Sequence, residues 1–143
     1  MAPLRILFVC TGNSARSQMA EGFARVYGHG DVDAFSAGID PKELHPLAVA
    51  VMREKGIDIS QQASKAWSED EARAMDFVIT VCGNAAEHCP LLPPEVKRLH
   101  WPLQDPAAAE GSYEERLQVF RSSCQDIERR VQTLLHELKI STG

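Results

Sequence analysis

Four short β-type runs alternate with helical segments along the chain, and this alternation constrains the fold more than any other feature. The runs occupy residues 5–9, 32–37, 77–81 and 97–101. Strands that alternate with helices form parallel sheets with right-handed crossovers. We therefore predict one α/β domain over residues 1–143, in which helices flank both faces of a four-stranded parallel sheet of order 2-1-3-4.

Capping residues and glycines indicate where the helices begin and end. The first helix stops at Gly28, the second has Pro46 in its first turn, and Ser68 caps a short third one. The last helix begins at a capping box formed by Ser112 and Glu115. Its apolar residues recur at steps of three and four, which predicts a helix packed on a core: Leu117, Phe120, Cys124, Ile127, Val131, Leu134 and Leu138.

The charge balance and the cysteines limit the class of protein. A formal net charge of −5 without a basic cluster argues against binding to nucleic acid. The longest apolar run, residues 6–10, is too short to span a membrane, and no signal peptide precedes it. We therefore expect a cytoplasmic monomer, a setting in which cysteines are more often catalytic or metal-binding than cross-linked. Of the four cysteines, Cys124 belongs to the apolar stripe of the last helix and is expected to be buried packing.

Cys10 ends the first apolar run, and five residues separate it from Arg16. The intervening loop can turn its backbone N–H groups toward a tetrahedral oxyanion at the N-terminus of the following helix, which we expect to begin near Ser14. A helix N-terminus and a neighbouring arginine both favour the thiolate, which is the reactive form of cysteine. We expect the whole loop to bind the anion, with Cys10 as the nucleophile. Its other residues are Thr11, Gly12, Asn13, Ser14, Ala15, Arg16 and Ser17.

Three residues of the loop have more specific expected roles. Gly12 is expected to let the backbone turn close to the anion. Ser17 can donate a hydrogen bond to the thiolate, and Asn13 can brace the loop.

The segment FVCTGNSARSQMAEGF resembles the anion loop of low-molecular-weight protein tyrosine phosphatases and of the thioredoxin-coupled arsenate reductases built on the same fold. The resemblance continues through SAGI, GIDIS, VITVCGNAAEHCP, LLPPEVKR and WPLQDPA, and these later segments resemble the reductase branch. It implies a general-acid role for Asp105, which precedes Pro106. The phosphatases usually follow this pair with aromatic residues, whereas Ala107 and Ala108 follow it here, which favours a small inorganic anion over an aryl phosphate.

The same resemblance implies a relay of three cysteines in an arsenate reductase that serves arsenic detoxification. In such a relay Cys10 attacks arsenate, and Cys82 then forms a disulfide with Cys10. Cys89 next attacks Cys82, which forms the Cys82–Cys89 disulfide and frees Cys10. Thioredoxin, the external electron donor, reduces the final Cys82–Cys89 bond, and no cofactor is bound. Phosphate and sulfate are expected to compete with arsenate, and a weak side phosphatase activity is expected.

Geometry adds a prediction about the second disulfide. Seven residues of α-helix rise about 10.5 Å, whereas the Cα atoms of bridged cysteines lie within roughly 7 Å. Any helix between Cys82 and Cys89 must therefore unwind on oxidation. A zinc site is not favoured, because the spacing differs from the usual pairs and the five histidines are scattered.

Some members of the resembled family bind a monovalent cation through residues matching Asn13 and Ser36 and an acid where this chain has Lys65. We expect the ammonium of Lys65 to replace that cation, so that no metal is required. Two other functions remain open: a low-molecular-weight protein tyrosine phosphatase that hydrolyses phosphate monoesters, and a non-catalytic oxyanion-binding module. The intact Cys10, Arg16 and Asp105 argue against the second of these.

Overall fold

The computed structural model describes residues 3–81 and 94–138 and contains a parallel four-stranded sheet of order β2-β1-β3-β4, as predicted. The strands are β1 (Leu4–Cys10), β2 (Val32–Gly38), β3 (Phe77–Thr80) and β4 (Lys97–His100). Each predicted strand is present, with ends that differ by one residue at most. The described parts of the chain thus confirm the α/β architecture.

The central strand β1 positions the site. Its residues from Ile6 to Cys10 are buried, as expected for a parallel strand between two neighbours. Cys10 pairs with Gly38 of β2, and Val9 pairs with Thr80 of β3. The carboxyl ends of these strands therefore share one edge of the sheet, which is where parallel sheets usually bind ligands.

Four α-helices and one short 3-10 helix lie within the described residues. They are α1 (Arg16–Tyr27), α2 (Pro46–Glu54), α3 (Glu69–Arg73), the 3-10 helix (Pro106–Ala108) and α4 (Tyr113–Glu137). The predicted start of α1 near Ser14 is wrong by two residues. The carbonyl of Ser14 accepts from the backbone of His45 and so belongs to the loop that precedes α1.

Helix α4 confirms most of its predicted pattern. Both hydrogen bonds of the capping box are present, and six of the seven predicted stripe residues are buried. Leu138 is half-buried, and Leu135 is buried although it was not in the predicted stripe. No helix in the described part of the chain is long and apolar enough to cross a membrane.

A polar junction fastens α4 to the ends of α1 and α2. Glu128 of α4 accepts a hydrogen bond of 2.5 Å from the hydroxyl of Tyr27, and its other oxygen lies 3.0 Å from the ammonium of Lys55. Burial and the neighbouring Glu128 carboxylate raise the pKa of Tyr27 to about 12, so this hydroxyl remains a donor. The junction is remote in sequence from the loop at Cys10 and serves the packing of the helices.

Candidate active site

The loop between β1 and α1 has its backbone carbonyls turned outward. Every carbonyl from Cys10 to Ser14 accepts a hydrogen bond from another segment. The donors, in order, are the amides of Ile39, Asp40 and Lys42, the side chain of Gln18 and the amide of His45, at 2.8–3.1 Å. In a trans peptide the N–H points opposite to the C=O, so the N–H groups of residues 11–15 face the inside of the loop. We call residues 39–45 the backing segment.

The N-terminus of α1 completes this cradle. Its N-cap, Ala15, makes no side-chain capping bond. Helix N-termini leave backbone donors that an anion can satisfy, and the helix dipole favours negative charge there. The loop between β1 and α1 therefore has the backbone arrangement that an anion site needs, and its binding of an anion stays a prediction.

The thiol of Cys10 is held by two neighbours. Its Sγ lies 2.8 Å from Oγ of Ser17, and the backbone N–H of Asn13 donates to it at 3.1 Å. The side-chain Nδ2 of Asn13 also donates to Oγ of Ser17 at 2.8 Å, which leaves the serine hydroxyl proton available to sulfur. All three residues are buried. The structure thus places Ser17 and Asn13 in contact with the Cys10 thiol, as the sequence led us to expect.

The expected role of Gly12 is not what the backbone shows. Asn13 has a φ of 47° and takes the left-handed conformation, whereas Gly12 has no positive φ. Asparagine tolerates this conformation better than most residues. The side chain of Asn13 is also fully engaged, because its Oδ1 accepts from the backbone N–H of Lys65 at 2.7 Å. The turn of the loop therefore depends on Asn13.

Arg16 and Asp105 meet at the mouth of the site. Nη2 of Arg16 lies 3.8 Å from Oδ2 of Asp105, and Nη1 donates to the carbonyl of Leu103 at 3.1 Å. Asp105 caps the 3-10 helix through a bond from the amide of Ala107, and its side chain is 46% exposed. The structure thus brings Cys10, Arg16 and Asp105 to one edge of the sheet, with the acid on the solvent side.

A buried carboxylate supports the loop from behind. Oε1 of Glu21 accepts from the hydroxyl of Ser36 at 2.6 Å and lies 3.8 Å from the ammonium of Lys65. The same ammonium also donates to the carbonyl of Ala63. Lys65 is therefore linked to Asn13 by its backbone and to Glu21 by its side chain. Glu21 was not predicted from the sequence, although Asn13, Ser36 and Lys65 were.

His45 is a second residue at the site that was not predicted from the sequence. Its backbone N–H holds the carbonyl of Ser14 at 2.9 Å, and its ring begins α2 as the N-cap. The only sequence signal was its position directly before Pro46, at a predicted helix start.

The remaining predicted residues divide into two groups. Cys82 and Cys89, with the predicted unwinding between them, lie outside the described residues. Cys124 is buried in α4 as predicted, and burial raises the pKa of its thiol to about 12, which makes it unreactive. Within residues 3–81 and 94–138, no three acidic, histidine or cysteine side chains are arranged to hold a metal ion.

Several known proteins are similar to this chain in sequence or in fold. An arsenate reductase of Bacillus licheniformis is 48% identical over 131 residues, which are 92% of this chain and 94% of that protein. A solved arsenate reductase in the phosphate-binding state has a TM-score of 0.74 at 37% identity, over 96% of this chain and 99% of that one. A thioredoxin-dependent arsenate reductase of Corynebacterium glutamicum has a TM-score of 0.68 at 31% identity, over 92% of this chain and 64% of that one.

The model of one family matches nearly the whole chain. It is the family of low molecular weight phosphotyrosine protein phosphatases, and the match covers residues 5–142. The sheet order agrees with the resemblance that the sequence motifs indicated. The chain belongs to the low molecular weight phosphotyrosine protein phosphatase family.

Proposed function

We propose that this protein reduces arsenate to arsenite, with Cys10 as the nucleophile, and that it contributes to arsenic detoxification. The observation that carries the proposal is the extensive identity to an arsenate reductase along nearly the whole chain. The geometry of the loop supports it, because a held thiol lies within a ring of inward N–H groups beside a guanidinium. Such a site accommodates a tetrahedral oxyanion.

The proposed first step uses residues that the structure describes. The loop amides and Arg16 hold the arsenate oxygens, and the Cys10 thiolate attacks arsenic to form a sulfur–arsenic bond. Asp105 gives its proton to the departing oxygen, which leaves as water. Asp105 can do so because its exposed side chain lies beside Arg16, whose guanidinium marks where the oxyanion is bound.

The second part of the proposal is the cysteine relay, with Cys82 and Cys89 assigned from the sequence. The Cys82 thiolate attacks the sulfur of Cys10, and the electron pair of the sulfur–arsenic bond passes to arsenic, which leaves as arsenite. Cys89 then attacks Cys82 and releases the Cys10 thiolate. A dithiol of thioredoxin reduces the Cys82–Cys89 disulfide, so two electrons enter for each arsenate reduced. The thioredoxin-dependent relative supports this choice of donor.

The surroundings of Asp105 favour a small anion over an aryl phosphate. Pro106 to Ala108 form the 3-10 helix, and the two alanines are exposed. Methyl groups cannot stack on an aromatic ring as a tyrosine does. Arsenate, phosphate and sulfate therefore compete for the loop, and esters with large aromatic groups are poor substrates.

We also propose that the protein needs no bound metal or cofactor. The ammonium of Lys65 provides positive charge next to the buried carboxylate of Glu21. A carboxylate buried without a partner would be costly, and here Lys65 and Ser36 both stabilise it. Turnover is therefore expected without added potassium.

The test is arsenate-dependent oxidation of NADPH in the presence of thioredoxin and its reductase. Wild-type protein is expected to turn over many times, whereas Cys89→Ser is expected to form one arsenite per enzyme without oxidising NADPH, because it stops at the Cys10–Cys82 disulfide. Cys124→Ala is the matched control, because this cysteine is buried in α4 and away from the loop. Unimpaired multiple turnover by Cys89→Ser would exclude the relay. Absence of arsenate-dependent oxidation by the wild type would exclude the function.

The family match also supports a second candidate, hydrolysis of phosphate monoesters. Cys10, Arg16 and Asp105 are arranged equally well for this reaction, so slow ester hydrolysis alone does not distinguish the two. The comparison needs kcat/KM for p-nitrophenyl phosphate against kcat/KM for arsenate in the same preparation. We expect Cys82→Ser to abolish arsenate reduction and to leave ester hydrolysis unchanged. A much larger kcat/KM for the ester would favour the phosphatase.

A further inference from the structure

His45 connects three parts of the molecule at the back of the anion loop. Its backbone N–H donates to the carbonyl of Ser14, and its own carbonyl accepts from the first turn of α2. Its ring lies against the buried ring of Phe120 in α4, with centroids 4.7 Å apart. The orientation of the last inward N–H of the loop, that of Ala15, therefore depends on where His45 is held.

The ring holds His45 in place only while it is neutral. Nδ1 accepts a hydrogen bond of 3.1 Å from the backbone N–H of Leu47 and thereby caps α2. A neutral imidazole has one acceptor nitrogen, and this contact uses it, so the proton resides on Nε2. Protonation of Nδ1 would remove the acceptor and leave the amide of Leu47 without its cap.

The charges around the ring favour the neutral form. Burial lowers the pKa of His45, and the Arg116 guanidinium of α4 lowers it further, whereas the Asp105 carboxylate acts in the opposite direction. The contacts from the anion loop and from α2 are uncharged backbone groups, at Ser14 and Leu47. The folded state therefore disfavours protonation of His45. The contribution of neutral His45 to the stability of the fold is present above the ordinary pKa of histidine and is lost as the pH falls below that value.

We propose that neutral His45 is a positioning residue for the anion loop, and that its protonation weakens anion binding by releasing the cap of α2 and, with it, the carbonyl of Ser14. The imidazole acts through the backbone and touches neither the anion nor Cys10. This inference rests on the proposed function only as far as oxyanion binding at the loop, and it holds whether or not arsenate is reduced.

Two variants distinguish the capping hydrogen bond of His45 from the packing of its ring. His45→Asn retains a side-chain acceptor at the N-cap and does not titrate. His45→Phe retains a ring against Phe120 and has no acceptor. Unfolding in urea shows that each variant is folded before binding is measured.

The probe is sulfate, a tetrahedral dianion throughout the pH range, whose dissociation constant is measured by calorimetry from about pH 8 to about pH 5. The measured quantity is the ratio of the sulfate dissociation constant of the wild type to that of His45→Asn. This ratio is expected to rise about fivefold as the pH falls, which is the factor that loss of one helix cap produces. Changes with pH that do not involve His45 are common to both proteins and cancel in the ratio. At the alkaline end, His45→Phe is expected to bind sulfate about fivefold more weakly than the other two.

A ratio that stays constant with pH would overturn the proposal. A ratio that falls toward acid would also overturn it, because it would show that the protonated ring simply attracts the anion. Should His45→Phe fail to fold, the ratio of wild type to His45→Asn still decides. Loss of arsenate reduction with an unchanged sulfate ratio would count against the proposed function and leave this inference standing.

Discussion

A single methyl group added at Gly38 is expected to displace the anion loop while the rest of the fold stays in place. A Cβ at this position would lie 2.8 Å from the carbonyl oxygen of Thr11 and 2.9 Å from N and Cβ of Asn13. Gly38 cannot retreat, because its N–H donates to the carbonyl of Lys65 and its carbonyl accepts from Trp67. The loop must therefore move away from Gly38→Ala.

The size of the movement follows from these distances. Restoring an ordinary contact of about 3.5 Å requires a displacement of about 0.6–0.7 Å. Overpacking of this kind costs about 1–3 kcal/mol of the free energy of unfolding. A displacement approaching 1 Å at a catalytic centre lowers the rate by up to about a hundredfold. We therefore expect kcat/KM for arsenate to fall between about tenfold and about a hundredfold.

Gly28→Ala is the matched control for this substitution. Its Cβ would lie 2.7 Å from the carbonyl oxygen of Ala24 and 2.8 Å from Cβ of Val32, at the far end of α1 from the loop. The two variants should lose similar free energy of unfolding in urea, and only Gly38→Ala should lose sulfate affinity and turnover. Equal activity of the two variants would refute the argument, because it would show that the loop tolerates the displacement.

Three further predictions test other contacts. Ser17→Ala is expected to slow alkylation of Cys10 by iodoacetamide about tenfold, because it removes a hydrogen bond to a charged sulfur; an unchanged rate would contradict this. Lys65→Met is expected to make turnover respond to added potassium, whereas the wild type and the exposed-lysine control Lys42→Met do not; strong stimulation of the wild type would refute it. Glu128→Gln is expected to lower the free energy of unfolding by about 1 kcal/mol, and a change in sulfate affinity would show that the helix junction influences the site.

The fold was predictable because its signals are local and periodic. Alternating strands and helices with clear caps, such as Ser68 and the box at Ser112, are each decided within a few residues. The start of α1 was not decided locally. Ser14 has no fixed preference for loop or helix, and the amide of His45, distant in sequence, draws its carbonyl out of the helix.

The grouping of four candidate site residues was also predictable, because Cys10, Ser17 and Arg16 are close together in sequence and Asp105 lies in a recognisable motif. The role of Glu21 was not predictable from the sequence, although Glu21 lies on the same helix as Arg16. Its role depends on Lys65, which reaches it because residues 63–66 cross behind the loop beside Gly38. No pattern within α1 contains that information.

The spacing of cysteine and arginine is therefore only part of what makes an anion loop. The loop keeps its N–H groups inward because the backing segment, 39–45, and Gln18 occupy its carbonyls, and because Lys65 holds Asn13 in a conformation that few residues adopt. A chain with the same residues from Cys10 to Ser17 and a different backing segment would have no physical reason to form this cradle. Gly38→Ala and His45→Phe, which leave every residue of the motif unchanged, should consequently weaken oxyanion binding, and Gly28→Ala and Glu128→Gln should not.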